Sequence, residues 1–97
     1  DMVCVRGVNV YPTAVEAVVR RFRDVVEYRS TISVTDALSE LTVELELEPG
    51  AVSQDVSTRV AQALRESMGL TVPVRVVDAN TLPRFEMKAR RFVVEAP

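Results

Sequence analysis

Eleven of the twelve basic side chains in this chain of 97 residues are arginines. The one lysine, Lys88, stands in Thr81-Leu82-Pro83-Arg84-Phe85-Glu86-Met87-Lys88-Ala89-Arg90-Arg91. Arginine is a planar, delocalised fork, whereas lysine is a compact ammonium on a flexible stem. A lysine can therefore be carried up to an anion that forms during a reaction, stabilise it as a point charge, and be withdrawn. Arg84, Arg90 and Arg91 raise the positive potential around it and are suited to hold a phosphate or the segment itself. A second candidate lies at the other end of the chain, in Val5-Arg6-Gly7-Val8-Asn9-Val10-Tyr11-Pro12-Thr13. Gly7 there either lets a ligand come close to the backbone or makes an ordinary turn.

Other chemistries are excluded by what is missing. The chain has no histidine, which removes a Ser-His-Asp or Cys-His centre and a histidine-ligated metal. Its three glycines, Gly7, Gly50 and Gly69, are isolated, so no glycine-rich phosphate loop exists. A net charge of −2 argues against a general nucleic-acid surface. The single cysteine, Cys4, rules out an internal disulfide, fits a reducing, cytoplasmic setting, and reads as a core residue of an apolar strand. No apolar run is long enough to cross a bilayer, and no membrane partner is expected. With 47% hydrophobic and 27% charged residues, the chain reads as one globular domain. Its opening, Asp1-Met2 directly inside an apolar stretch, reads as that of a domain excised from a longer protein.

The elements that must position the two motifs follow from periodicity. Met2 to Val5 reads as a strand, and Arg6 to Val10 as a turn and a short extended piece. Pro12 and Thr13 open a helix that runs to about Arg23, with Thr13 and Glu16 matching a capping box and Val15, Val18, Val19 and Phe22 forming its apolar stripe. From Val26 to Val34 the pattern alternates, with Tyr28, Ser30, Ile32 and Val34 on one face. Glu40 to Glu48 alternates too: Leu41, Val43, Leu45 and Leu47 face inward, and Glu40, Thr42, Glu44, Glu46 and Glu48 read as a solvated face. A second helix is expected from Ser53, as its cap, to about Met68, stopped by Gly69 in the left-handed region. Thr71 to Val77 reads as a strand, with Pro73 marking an edge position or the strand's start, and Phe92 to Val94 as a last short strand or a docked tail. The order predicts an α+β, ferredoxin-like βαββαβ domain: an antiparallel sheet with two helices on one face.

Taken together, Arg6-Gly7-Val8-Asn9-Val10-Tyr11-Pro12 and Leu82-Pro83-Arg84 followed by Lys88-Ala89-Arg90-Arg91 resemble the small C-terminal domain of adenylate-forming enzymes, in particular that of phenylacetate–CoA ligases. The likeness covers nearly the whole chain. It implies a two-step reaction: a small carboxylic acid attacks ATP, with Mg2+, to give an acyl-adenylate and pyrophosphate, and the thiol of coenzyme A then displaces AMP. It implies that Lys88 is the adenylation lysine and that Arg6, Gly7, Val8 and Asn9 form a loop facing coenzyme A, with Arg84 a further cofactor-binding residue. It implies that the domain swings between the steps about an acidic residue just before Asp1. It further implies that the ATP-gripping and acid-binding parts lie in the protein's own upstream domain, which would leave residues 1–97 inactive alone. The family is often dimeric, so the resemblance allows a homodimer. Two positions depart from the pattern: Phe85 stands where a small hydroxyl residue is usual and Met87 where glycine is.

By residue type alone, several positions keep two readings. Arg6 can meet the 3′-phosphate end of coenzyme A or a neighbouring acid. Asn9 can bond substrate or cap its own turn, the second being favoured. Tyr11 and Pro12 read as a packing and helix-start pair. A competing function from another class is a small-ligand-sensing or protein-interaction domain of ferredoxin-like shape without catalysis. An RNA-binding fold of the same topology is disfavoured, because aromatic residues make up only 5% and the exposed face presents carboxylates.

Overall fold

The computed structural model describes residues 2–36, 38–83 and 91–95. Its elements run β1 (Val3–Val5), β2 (Val8–Val10), α1 (Pro12–Val19), β3 (Val25–Thr35), β4 (Leu38–Leu47), α2 (Ser53–Met68), β5 (Val74–Val76) and β6 (Phe92–Glu95). The domain is α+β, as the sequence predicts. Both helices cover one face of the main sheet: Val15, Val18 and Val19 of α1 and Val56, Val60 and Leu64 of α2 share one core with Tyr28, Ile32, Leu41, Val43 and Leu45.

Main-sheet order is β5-β4-β3-β6, and the hairpin β1-β2 stands apart as its own two-stranded ladder. Within the main sheet antiparallel pairing is confined to β3 with β4; β5 joins β4, and β6 joins β3, in parallel. The sheet is therefore mixed where a wholly antiparallel one is expected. The reason is local: β4 returns through α2 into β5, a strand-helix-strand crossover that leaves its two strands parallel.

Separation of the first hairpin also corrects the reading of Cys4. A two-stranded ladder buries one face only. Val5 and Val10 enter the core, while Cys4, paired opposite Asn9, is exposed. Helix α1 begins at Pro12, whose fixed φ suits the first helical position. Thr13 lies inside the helix and makes no cap bond; the Tyr11 carbonyl accepts from the amides of Ala14 (2.9 Å) and Val15 (3.2 Å) instead. The helix ends at Val19, short of Arg23, and Glu16 pairs with Arg20 at 3.8 Å. Helix α2 matches its expected span, with Val52 rather than Ser53 at the N-cap and Gly69 closing it at φ 70°. Strand β5 is shorter than Thr71–Val77, and it occupies a sheet edge as Pro73 predicts.

One core position is anomalous. Ser30 on β3 faces the helices with no exposed surface, and its Oγ has no hydrogen-bond partner. An unsatisfied buried hydroxyl is costly, whereas an apolar group of the same shape is not. Ser30→Ala is expected to stabilise the domain by about 1 kcal/mol, a rise in Tm of roughly 4–8 °C for a domain of this size, read by thermal unfolding.

Candidate functional site

The first candidate is the tip of the β1-β2 hairpin. Val5 pairs with Val8, so Arg6 and Gly7 are its two-residue turn. Both have positive φ, 49° at Arg6 and 79° at Gly7. That is the backbone of a type I′ turn, whose twist matches the flanking strands. A Cβ on Gly7 would meet no atom within 4 Å, so the backbone and not crowding within the domain calls for glycine. Gly7→Ala is expected to cost roughly 1–2 kcal/mol, the penalty of a left-handed non-glycine residue, read by urea unfolding.

Arg6 meets a neighbouring acid: its guanidinium donates to Glu40 on β4, and that bond and Glu40's charge raise the arginine's pKa. Beside the pair lies an open cleft of about 410 Å³ lined by Arg6, Glu40, Gly69, Leu70, Thr71 and Pro73. Val8 is half-buried against the core, which roots the turn. Asn9 is in β2, exposed, and does not form the turn that its residue type suggests.

The second candidate is the lysine segment. Lys88 lies outside the described residues, as do Arg84, Phe85, Met87 and Arg90. The chain on either side of them is described. Upstream, Asp78 to Thr81 make a tight turn in which the Thr81 amide donates to the Asp78 carbonyl at 3.2 Å and Asn80 has φ 64°. That turn aims two amides at one carboxylate. Asn80 N–H donates to Glu46 Oε1 at 2.9 Å, and Leu82 N–H donates to Glu46 Oε2 at 2.6 Å. Leu82 itself is buried, yet outside the core cluster shared with the helices. Downstream, Arg91 grips Glu27 with two bonds, Nε to Oε1 at 2.6 Å and Nη2 to Oε2 at 3.0 Å.

This corrects the reading of the acidic row. Glu48 is exposed, but Glu46 is only 1% exposed and holds backbone. Glu44 is shielded between Arg29 (2.9 Å) and Arg75 (2.7 Å), and Glu40 holds Arg6. Burial pushes the Glu44 carboxyl up, but its bonds and charge contacts with Arg75 and Arg29 outweigh burial and hold it below the usual carboxylate range. The same balance applies to Glu27: burial raises it, while Arg91, the Tyr28 amide and the charge of Arg20 together lower it. Alternation finds a strand's outward face, but it does not register that a later loop returns to cover that face. The available signal was composition: carboxylates alternating along a strand next to an arginine-rich chain require partners.

Glu40 and Glu46 stand six residues apart on one face of β4. At 3.3–3.4 Å per residue the two candidates are anchored about 20 Å from each other, toward opposite ends of one rigid strand. Among the described residues no group of three or more His, Cys, Asp or Glu is arranged to hold a metal ion.

Comparison with known proteins resolves what this frame is. The model of the AMP-binding enzyme C-terminal domain matches residues 7–95. The chain belongs to that family. Phenylacetate-coenzyme A ligase of Thermus thermophilus is 30% identical over 114 residues, covering 98% of this chain and 26% of the relative. The chain thus spans about a quarter of that curated relative's length. A domain of phenylacetate-coenzyme A ligase from Bacteroides vulgatus has the same fold, with a TM-score of 0.82, 24% identity, and coverage of 100% of this chain and 94% of that one. A 2-hydroxyisobutyryl-CoA ligase in complex with 2-HIB-AMP and CoA, in the thioesterification state, superposes with a TM-score of 0.84 at 25% identity, over 99% of this chain and 21% of that one. In this AMP-binding enzyme C-terminal domain, the Arg6-Gly7 turn and the turn at 78–82 are bonded to acids toward opposite ends of β4.

Proposed function

We propose that residues 1–97 form the small C-terminal domain of an ATP-dependent acyl-CoA ligase, and that the domain serves two half-reactions with two different loops. In the first, a carboxylate oxygen attacks the α-phosphorus of ATP, pyrophosphate leaves, and Lys88 stabilises the negative charge that accumulates between the acid and the phosphate. In the second, the sulfur of coenzyme A attacks the acyl carbon, AMP leaves, and the turn Arg6-Gly7-Val8-Asn9 faces the thiol's approach. Arg84 is assigned to the nucleotide side.

The observation that carries this reading is the spacing along β4. The hairpin tip is bonded to Glu40 and the turn before the lysine stretch to Glu46, about 20 Å apart, which suits a domain that turns between steps and brings each motif in at its own time. Family membership, and the relatives' own reactions, supply the chemistry. The open cleft beside Arg6 and Glu40 gives the hairpin tip a surface on which a pantetheine arm can lie. Magnesium does not fit the described residues, since the oxygens of Glu27 and Glu46 are taken up by Arg91 and by backbone amides. It, the ATP and the acid are assigned to an upstream domain of a longer chain.

For the acid, the curated relatives favour an aryl acid of the phenylacetate type. The test is ATP–pyrophosphate exchange by the longer protein across a panel of carboxylic acids, followed by thioester formation with coenzyme A. Acid-dependent exchange, strongest with aryl acids, is the expected result. Absence of exchange with every acid would remove the ligase assignment.

A further inference from the structure

Glu27 and Glu46 are direct cross-strand partners on β3 and β4. Two acids facing each other are a poor choice for a sheet, because like charges opposite one another repel. Burial makes it worse: Glu27 is 4% and Glu46 1% exposed, and a buried carboxylate must be fully satisfied to be tolerated. Here all four oxygens have donors. Glu46 receives the amides of Asn80 and Leu82. Glu27 receives both nitrogens of the Arg91 fork, and its Oε1 also accepts from the Tyr28 amide at 3.1 Å. A bulge in β3 between Val25 and Glu27 sets this register.

The partners of the two acids lie on either side of the same stretch. Leu82 immediately precedes Pro83-Arg84, and Arg91 immediately follows Arg90. Before the stretch the chain is bonded to Glu46; after it the side chain of Arg91 reaches Glu27, the partner of Glu46 across the ladder, and Phe92 pairs with Ser30 as β6 begins. The residues flanking the lysine-bearing stretch are thus bonded to the two acids of one cross-strand pair.

We propose that Glu27 and Glu46 are positioning residues for the adenylation step, a paired-carboxylate clamp that holds the residues on either side of 84–90 and so sets the reach of Lys88. The proposal rests on the reading of Lys88 given above. It assigns a purpose to an otherwise unfavourable pair. A displacement of about 1 Å at a reacting centre costs up to 10²-fold, so loosening one end of the stretch is enough to be seen.

The test uses the longer ligase with Glu46→Gln, which keeps the shape but removes one acceptor and the charge that holds two amides. Three readouts are taken: ATP–pyrophosphate exchange, thioester formation from a preformed acyl-adenylate, and amide hydrogen exchange of the peptide spanning 78–83. A clamp predicts a fall in exchange kcat of roughly 10- to 100-fold with KM for ATP and acid little changed. It also predicts thioester formation within about twofold of wild type, and faster amide exchange at 78–83 with α2 unaltered. Should Glu46→Gln lower the yield of folded protein, Glu46→Asp, which keeps the charge and shortens the reach, takes its place with the same readouts. A parallel loss in both half-reactions would mean that the acids only support the fold, and would overturn the clamp. So would unchanged exchange in a variant set where Lys88→Ala abolishes it. If Lys88→Ala itself leaves exchange intact, the lysine's role fails first and the clamp falls with it, an outcome distinct from the other two.

Discussion

Replacing Lys88 with alanine in the longer ligase is expected to slow acyl-adenylate formation by about 10²–10³-fold, or about 3–4 kcal/mol of transition-state stabilisation. The figure is that of removing one pre-placed electrostatic group from a site where charge develops. Adenylation is such a site: the attacking carboxylate and the α-phosphate carry negative charge toward each other, and an ammonium between them is worth more as they approach than before. Thioester formation from a preformed adenylate is expected to stay within about threefold, because that half-reaction is assigned to the hairpin tip at the far end of β4. Lys88→Arg should not restore the rate. Its charge is delocalised over a planar fork of different reach, and the chain already holds eleven arginines without using one at this position. The measurement is single-turnover adenylation beside thioester formation from the isolated intermediate. Equal losses in both would contradict the division of labour, and no loss in either would take the lysine out of the mechanism.

The contrast between the two half-reactions follows from how the strands were built, and much of that was legible in the residues. Alternation in Val26–Val34 and Glu40–Glu48 fixes two long strands and their inward faces, since a period of two admits no other geometry with one face buried. Pro12, Gly69 and Pro73 mark a helix start, a helix stop and an edge, each through a single conformational property. A turn within Arg6–Val10 was legible from its glycine, and the pairing of Val5 with Val8 narrows it to Arg6-Gly7. What the residues did not show was long-range. Whether β5 and β6 join in parallel depends on crossovers, and neither strand's own pattern reports it. Cys4 is apolar enough for a core and is exposed because its ladder has only two strands. Thr13 and Glu16 have the spacing of a cap, but Pro12 starts the helix one residue earlier. Most consequentially, Glu46 reads as one more solvated carboxylate, and it is buried because later chain, residues 78–82 among it, returns over the sheet. Local periodicity describes faces; it does not describe what later chain lies upon them.

The same buried acids govern the expected stability behaviour, and Arg91→Met is the substitution that exposes it. The ion pair is shielded, with side chains 15% exposed at Arg91 and 5% at Glu27. Removing the arginine leaves a buried carboxylate with only the Tyr28 amide among its described donors, and such a break costs about 3–5 kcal/mol, a large share of a small domain's stability. Adding Glu27→Gln to Arg91→Met removes the stranded charge and should recover part of the loss, a non-additivity that a double-mutant cycle in urea measures directly. The pH dependence changes sign between the two proteins. In the native domain the Glu27 carboxyl sits below its ordinary value of 4.5, so its contribution is present above that value and is lost as pH falls through the depressed folded pKa. Without Arg91 the main force holding the pKa down is gone, and burial moves it above 4.5. The folded state then binds the proton more tightly than the unfolded one, and the variant gains stability as pH falls from neutral toward 4.5, where the native domain does not. Urea midpoints collected between pH 7 and pH 4.5 decide the matter. Parallel curves for the two proteins would show that the carboxylate of Glu27 finds another cation, and that the Arg91 bond is not what secures the return of the chain to the sheet.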